Sequence, residues 1–150
     1  GTIMPTKAAL PYMKLTKGSV MFISSLAGMH GLPAGSAYCA GKMSLTAFWQ
    51  SMRIELNNTG IHFGICYVSF TQNDESKRML SSDGKLMPIQ QRPEILKQSQ
   101  EQVASAIIKS IKERRAKVVL TVFGKITEWV FRYFPRLVMF TIVSLNEKKK

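Results

Sequence analysis

Acidic residues are scarce in this chain. Nine Asp and Glu stand against 21 Lys and Arg, a formal net charge of +12 in 150 residues. Such a surface suits anionic partners: an anionic cofactor, a nucleic acid or an anionic membrane. The basic residues are spread along the chain, with clusters at Lys112 to Lys117 and Lys148 to Lys150. No RRM, KH or zinc-finger pattern accompanies them, so a solvated basic surface outweighs a nucleic-acid groove and no nucleic-acid partner is expected. Cysteine is scarce as well. Cys39 and Cys66 form no Cys-x-x-Cys pair and read as free buried thiols in a reducing compartment. Neither His30 nor His62 has a carboxylate or cysteine at ligand spacing, which argues against a metal site. No secretory signal pattern occurs, so cytoplasmic placement is expected, and the sequon Asn57-Asn58-Thr59 lacks the secreted context it needs. Repeats and low-complexity stretches are absent. A spanning helix needs about 20 mostly apolar residues. The most apolar stretch, Trp129 to Leu145, is broken by Arg132, Pro135 and Arg136.

Apolar residues make up 45% of the chain, the content of a globular protein, and the length is that of one domain. The chain opens at Gly1 and enters at once a helical segment, Thr2 to Lys14, which reads as a fragment whose front lies upstream. Ser19 to Ser25 (SVMFISS) is a short apolar run with the length of a buried parallel strand. A loop from Leu26 to Gly35 follows. Ser36 is placed to cap a long helix that runs to about Asn57 and stops before Thr59-Gly60. Along it Tyr38, Lys42, Leu45, Trp49, Met52 and Leu56 share one face. Ile61 to Val68 (IHFGICYV) reads as a second buried strand. Thr71 to Pro93 is polar and irregular, with a short helix near Asp74 to Leu80; long segments of this kind are often binding lids. Glu94 to Arg115 reads as a helix that turns Val103, Ile107 and Ile111 inward, and Lys117 to Phe123 (KVVLTVF) as a third strand. The alternation of helix and strand predicts an α/β fold with a parallel sheet.

One constellation carries chemistry. Tyr38 and Lys42 stand four residues apart, and Ser25 precedes the tyrosine by thirteen. Residues four apart on a helix share a face. A free phenol has a pKa of about 10, and a neighbouring ammonium favours its ionised form. The pair can then give and take a proton while the Ser25 hydroxyl orients a carbonyl. Singly, each residue has a plainer explanation: a solvent-facing phenol, a surface lysine, a strand-end cap. Jointly they suit a carbonyl/alcohol redox site.

The run Gly18 to Gly28 (GSVMFISSLAG) followed by Tyr38-Cys39-Ala40-Gly41-Lys42 resembles the short-chain dehydrogenases/reductases. The resemblance extends from the Leu10-Pro11 helix to the strand near Val118. It implies the C-terminal part of a doubly wound, Rossmann-like parallel-sheet domain and an oxidoreductase that uses NAD or NADP. It gives Tyr38 the role of general acid/base. Lys42 would lower the tyrosine's pKa and bind the nicotinamide ribose, and Ser25 would orient the substrate oxygen beside Ser24. Cofactor contacts would come from Tyr38, Lys42, Val68, Ser69 and Asn73. Val68 and Ser69 stand where the family usually has Pro-Gly, and Asn73 where it has a threonine. The resemblance also implies a homo-oligomer formed through the Tyr38 helix. The family's Gly-rich phosphate loop and Asn-Ala-Gly strand are expected upstream of Gly1, so the fragment alone should not turn over.

Residues 1–123 are thus expected to form the catalytic half and 124–150 a basic, aromatic helical tail. Phe70, Met79, Leu80, Leu86 and Met87 would line a lid over a lipid-like or steroid-like substrate. Two readings of the tail stay open. It is a helix pair on a membrane interface, with Trp129, Phe131, Tyr133 and Phe134 as anchors and Lys148 to Lys150 facing anionic lipid. Or it packs on its own domain or a second subunit. The rival to the enzyme is a non-catalytic membrane-surface or interaction module on the same fold, of which Val68, Ser69 and Asn73 would be symptoms.

Overall fold

The computed structural model describes residues 1–74, 76–81, 83–89 and 93–147. In chain order the elements are α1 (Ile3–Thr16), β1 (Ser19–Ser25), α2 (Ser36–Glu55), β2 (His62–Val68), β3 (Phe70–Thr71), β4 (Arg78–Leu80), β5 (Leu86–Pro88), β6 (Lys97–Gln98), α3 (Gln100–Lys112), β7 (Lys117–Val119), α4 (Val122–Tyr133) and α5 (Pro135–Glu147). The main sheet is parallel, in the order β1-β2-β7. β1 and β2 run in register from Ser19 opposite His62 to Ser25 opposite Val68. β2 lies between two strands and packs against both α2 and α3, so its run from Phe63 to Tyr67 is buried without alternation.

The core gathers on β2. Phe22, Phe63, Ile65, Tyr67 and Val119 of the sheet pack with Trp49 of α2. Phe22 meets Phe48 edge-on with ring centroids 5.5 Å apart. The indole nitrogen of Trp49 donates to the Phe63 carbonyl at 3.0 Å, so burying this ring strands no donor. Trp49, Met52 and Leu56 hold the second half of α2 on the sheet. Tyr38, on the same stripe at the helix start, is 55% exposed.

Several local expectations are corrected. Ser36 is the first helical residue, and Gly35 holds the cap position with no side-chain bond. The described residues from Asp74 to Leu80 are not helical: Asp74 accepts from the Ser76 backbone at 2.7 Å, and β4 pairs antiparallel with β5. Met79, Leu80, Leu86 and Met87 of that hairpin are exposed. The stretch 94–115 is not one helix. Lys97–Gln98 pairs with Phe70–Thr71, and α3 starts only after Ser99. Ser99 and Gln102 bond reciprocally as a capping box, with Gln102 N donating to Ser99 Oγ at 3.2 Å and Ser99 N to Gln102 Oε1 at 3.0 Å. The inward face of α3 includes Ser110, and Ile111 is exposed. β7 stops at Val119, because Thr121 caps α4 by accepting from Gly124 N at 2.8 Å. Two helices follow β7, α4 beginning at Val122 and then α5; Lys148 to Lys150 lie outside the described residues. Among the described residues no helix is long and apolar enough to cross a membrane.

Cys66, at the centre of β2, has no solvent exposure, and burial pushes its thiol from 9.0 up to about 11. The raised value means that folding favours the protonated thiol. Its contribution is complete below about pH 9 and is lost as pH rises from 9 to about 11. A gap of that size is worth about 3 kcal/mol. Cys66→Ala is expected to lack this fall, so the stability difference between the two proteins, from urea unfolding across that pH range, should change by about that amount.

Candidate active site

β1 delivers Ser24 and Ser25 to the carboxyl end of the sheet, level with Val68 of β2. In a parallel sheet this end is where ligands bind. Ser25 also starts a tight 3-10 turn, Leu26–Gly28, its Oγ accepting from Ala27 N at 3.3 Å. Ser24 points the other way and is buried; its hydroxyl donates to the Lys42 carbonyl at 3.2 Å. The Lys42 ammonium donates to the Ile23 carbonyl at 3.1 Å. Two bonds thus run between one residue of α2 and the last turn of β1. Lys42 Nζ also sits 5.9 Å from the centroid of the Tyr38 ring.

A second pin lies one helical turn further along α2. Thr46 Oγ1 donates to the Gly28 carbonyl at 3.1 Å and shares a 2.9 Å hydrogen bond with the Tyr67 hydroxyl. The approach at Gly28 is close: a Cβ there would lie 2.4 Å from Ser24 Oγ and 2.9 Å from the Lys42 carbonyl oxygen. Burial pushes the Tyr67 phenol above its ordinary value, with the Thr46 bond opposing and the Glu128 charge adding to the rise. Tyr67 is therefore a neutral structural hydroxyl. Tyr38, in contrast, reaches solvent.

The network predicts a clear substitution result. Thr46→Val removes the hydroxyl and leaves the Tyr67 hydroxyl and the Gly28 carbonyl without a partner. An unpaired buried polar group costs about 1–3 kcal/mol, so thermal unfolding should shift down accordingly. Thr46→Ser should restore most of the loss.

Tyr38 and Lys42 share a cleft of about 430 Å³ with Ile3, Met4, Ala37 and Leu45. Ser25 does not line it, and among the described residues Ser25 makes no hydrogen bond to Tyr38 or Lys42. Val68 and Ser69 follow directly at the end of β2. Ser69 Oγ is buried and has no hydrogen-bond partner among the described residues. Asn73 is exposed, and its Oδ1 accepts from Lys77 Nζ at 3.1 Å. His62 opens β2 at the opposite end of the sheet from Ser25, outside this arrangement.

Sequence reasoning passed over Thr46 and Tyr67, and it named Gly28 only as the end of the motif run, not for its close approach to α2. A signal for Thr46 was there, since it follows Lys42 by four residues and so shares its face. Tyr67 carried none, because nothing local tells a buried strand tyrosine which helix its hydroxyl will meet.

The family model described as short chain dehydrogenase matches residues 1–83. The chain belongs to the short-chain dehydrogenase family. A Danio rerio relative described as dehydrogenase/reductase SDR family member 7B is 24% identical over 151 residues, covering all of this chain and 49% of its own length. The Bos taurus relative of the same description is 30% identical over 121 residues, 80% of this chain and 37% of the relative. An Arabidopsis thaliana relative, 11-beta-hydroxysteroid dehydrogenase 1A, is 32% identical over 88 residues, 58% of this chain and 25% of the relative. Against these family members the chain spans about half the length or less. Among solved structures, a short chain dehydrogenase from Burkholderia cenocepacia in complex with NADP superposes with a TM-score of 0.73 at 12% identity, over 91% of this chain and 52% of that chain. This likeness places the β1-β2-β7 sheet and its helices in the Rossmann-like parallel-sheet class.

Proposed function

We propose that this chain is the catalytic half of an NAD- or NADP-dependent oxidoreductase that interconverts a carbonyl and an alcohol. One observation carries the reading. Tyr38 and Lys42 line one cleft, and Lys42 is bonded to the last turn of the strand that ends in Ser25. In this reading Tyr38 gives its phenolic proton to the carbonyl oxygen during reduction and takes the hydroxyl proton during oxidation. Its exposed position leaves it free to do so. An ammonium has three donors. Lys42 uses one on Ile23, so two remain for ribose hydroxyls. Ser25 holds the substrate oxygen. Val68 backbone groups and the unpartnered Ser69 hydroxyl are suited to the nicotinamide amide. The bound nicotinamide supplies the hydride. Asn73 is engaged with Lys77 and must release it to act in the threonine's place. The substrate is a small-molecule carbonyl or alcohol, and a homo-oligomer through α2 would use its exposed Met43 and Ile54.

The reading is tested on the protein that carries both halves of the fold, by titrating the fluorescence of reduced nicotinamide nucleotide. Lys42→Met should weaken binding, whereas Tyr38→Phe should leave it in place. If neither nucleotide binds wild-type protein, the chain is the non-catalytic module instead.

A further inference from the structure

α4 and α5 turn an unusual amount of apolar surface to solvent. Ile126, Trp129 and Tyr133 recur at helical spacing along α4, and Leu137, Phe140 and Val143 continue the surface on α5. All six are exposed; Trp129 is 55% and Phe140 71% open to solvent. The Trp129 ring packs against Tyr133 and Phe134, with centroids 5.5 and 5.4 Å away, so these aromatics form one cluster. The opposite side of α4 is already occupied. Phe123 stacks on Phe70, Phe131 lies on His30, and Gly124 fits close to Val119.

The charges around this face are mostly positive; Glu147, exposed at the end of α5, is the one acid on that helix. Lys125, Arg132 and Arg136 are exposed, and none makes an ion pair among the described residues. The single acid within α4, Glu128, is half-buried and pairs with Lys117 of β7. A surface of aromatic and aliphatic side chains flanked by cations without ion pairs, Arg132 lying over the Tyr133 ring, complements an anionic lipid surface: rings enter the headgroup boundary while cations meet the phosphates. It complements a second copy of itself poorly, because two such faces would bring like charges together in a chain of net charge +12.

We propose that the exposed face of α4 and α5 docks on an anionic phospholipid bilayer. The docking is peripheral, with Trp129 at the headgroup level and the apolar residues of α5 reaching below it. It is independent of the redox reading, since it uses no residue of the Tyr38 cleft. Its geometry has a consequence for that reading: α4's inner side touches Phe70 and His30, so a docked bilayer lies about one helix diameter, roughly 10 Å, from the strand ends.

The test uses the intact protein with vesicles of phosphatidylcholine containing about 30 mol % phosphatidylserine, an anionic surface, against vesicles of phosphatidylcholine alone. The protein should sediment with the anionic vesicles and be released by salt. Trp129 emission should shift to the blue, and the shift belongs to it because Trp49 is already buried. The combined variant Lys125→Gln, Arg132→Gln, Arg136→Gln keeps the apolar surface and should bind about 10²-fold less tightly, roughly fivefold per charge. Phe140→Ser should lower the affinity in parallel, with far-UV circular dichroism unchanged. Equal binding to neutral vesicles would overturn the proposal. So would an unmoved Trp129 spectrum, or concentration-dependent self-association that Phe140→Ser abolishes while no vesicle is bound.

Discussion

Tyr38→Phe is expected to lower turnover by at least about 10²-fold, the usual worth of a positioned acid–base group. Phenylalanine keeps the ring that lies 5.9 Å from Lys42 Nζ and removes only the oxygen. Because the ring is exposed, its hydroxyl has no buried partner to strand. Stability should therefore stay within about 0.5 kcal/mol of wild type, as for most surface changes. The loss would then belong to proton transfer and not to unfolding. Single-turnover decay of reduced nicotinamide absorbance on the intact protein reads it directly. Tyr67→Phe is the control: it should weaken stability through the lost Thr46 bond and leave hydride transfer within the same order. Undiminished turnover in Tyr38→Phe would reject the role assigned to that phenol.

Gly28→Ala should have the largest effect on folding. The added carbon would sit 2.4 Å from Ser24 Oγ and 2.9 Å from a main-chain oxygen of α2. The hydroxyl could swing aside, but only by giving up its bond to the Lys42 carbonyl; the backbone atom cannot move without shifting the helix. Overpacking of this kind costs about 1–3 kcal/mol, and an unpaired buried hydroxyl adds a similar amount, so a total near 4 kcal/mol is expected. Chemical denaturation should show it as a lower midpoint with unchanged slope. Turnover should fall at temperatures where the variant is still folded, because Tyr38 and Lys42 ride on the displaced helix. A variant as stable as wild type would mean that α2 does not pack against the strand end this closely.

The main elements were legible from local pattern. The run Ser19 to Ser25 became β1 with those bounds, since a short apolar stretch after a glycine admits little else. α2 followed from its stripe of apolar residues, and β2 from seven residues of nearly unbroken apolarity. The errors fell where local pattern and tertiary pairing compete. Lys97 and Gln98 read as the start of α3, but Phe70 and Thr71 offered them strand partners. Val122 and Phe123 have strand-forming side chains, yet Thr121 supplies a cap and α4 begins. The Ser99 to Gln102 capping box was readable as Ser-x-x-Gln and would have set the start of α3 correctly.

Spacing along one helix put Tyr38 and Lys42 on the same side, and strand length put Ser25 at an end of the sheet. Those are short-range consequences of 3.6-residue and two-residue repeats, so they belong to the order of amino acids alone. Which carbonyl Lys42 grips, which hydroxyl Thr46 meets, and how near Gly28 comes to α2 are contacts between groups 18 to 21 residues apart. The exposure of Trp129 and Phe140 is likewise a matter of which side of α4 and α5 the sheet happened to claim. Contacts of that range depend on where whole elements settle against one another, and packing of the complete core is what sets those positions.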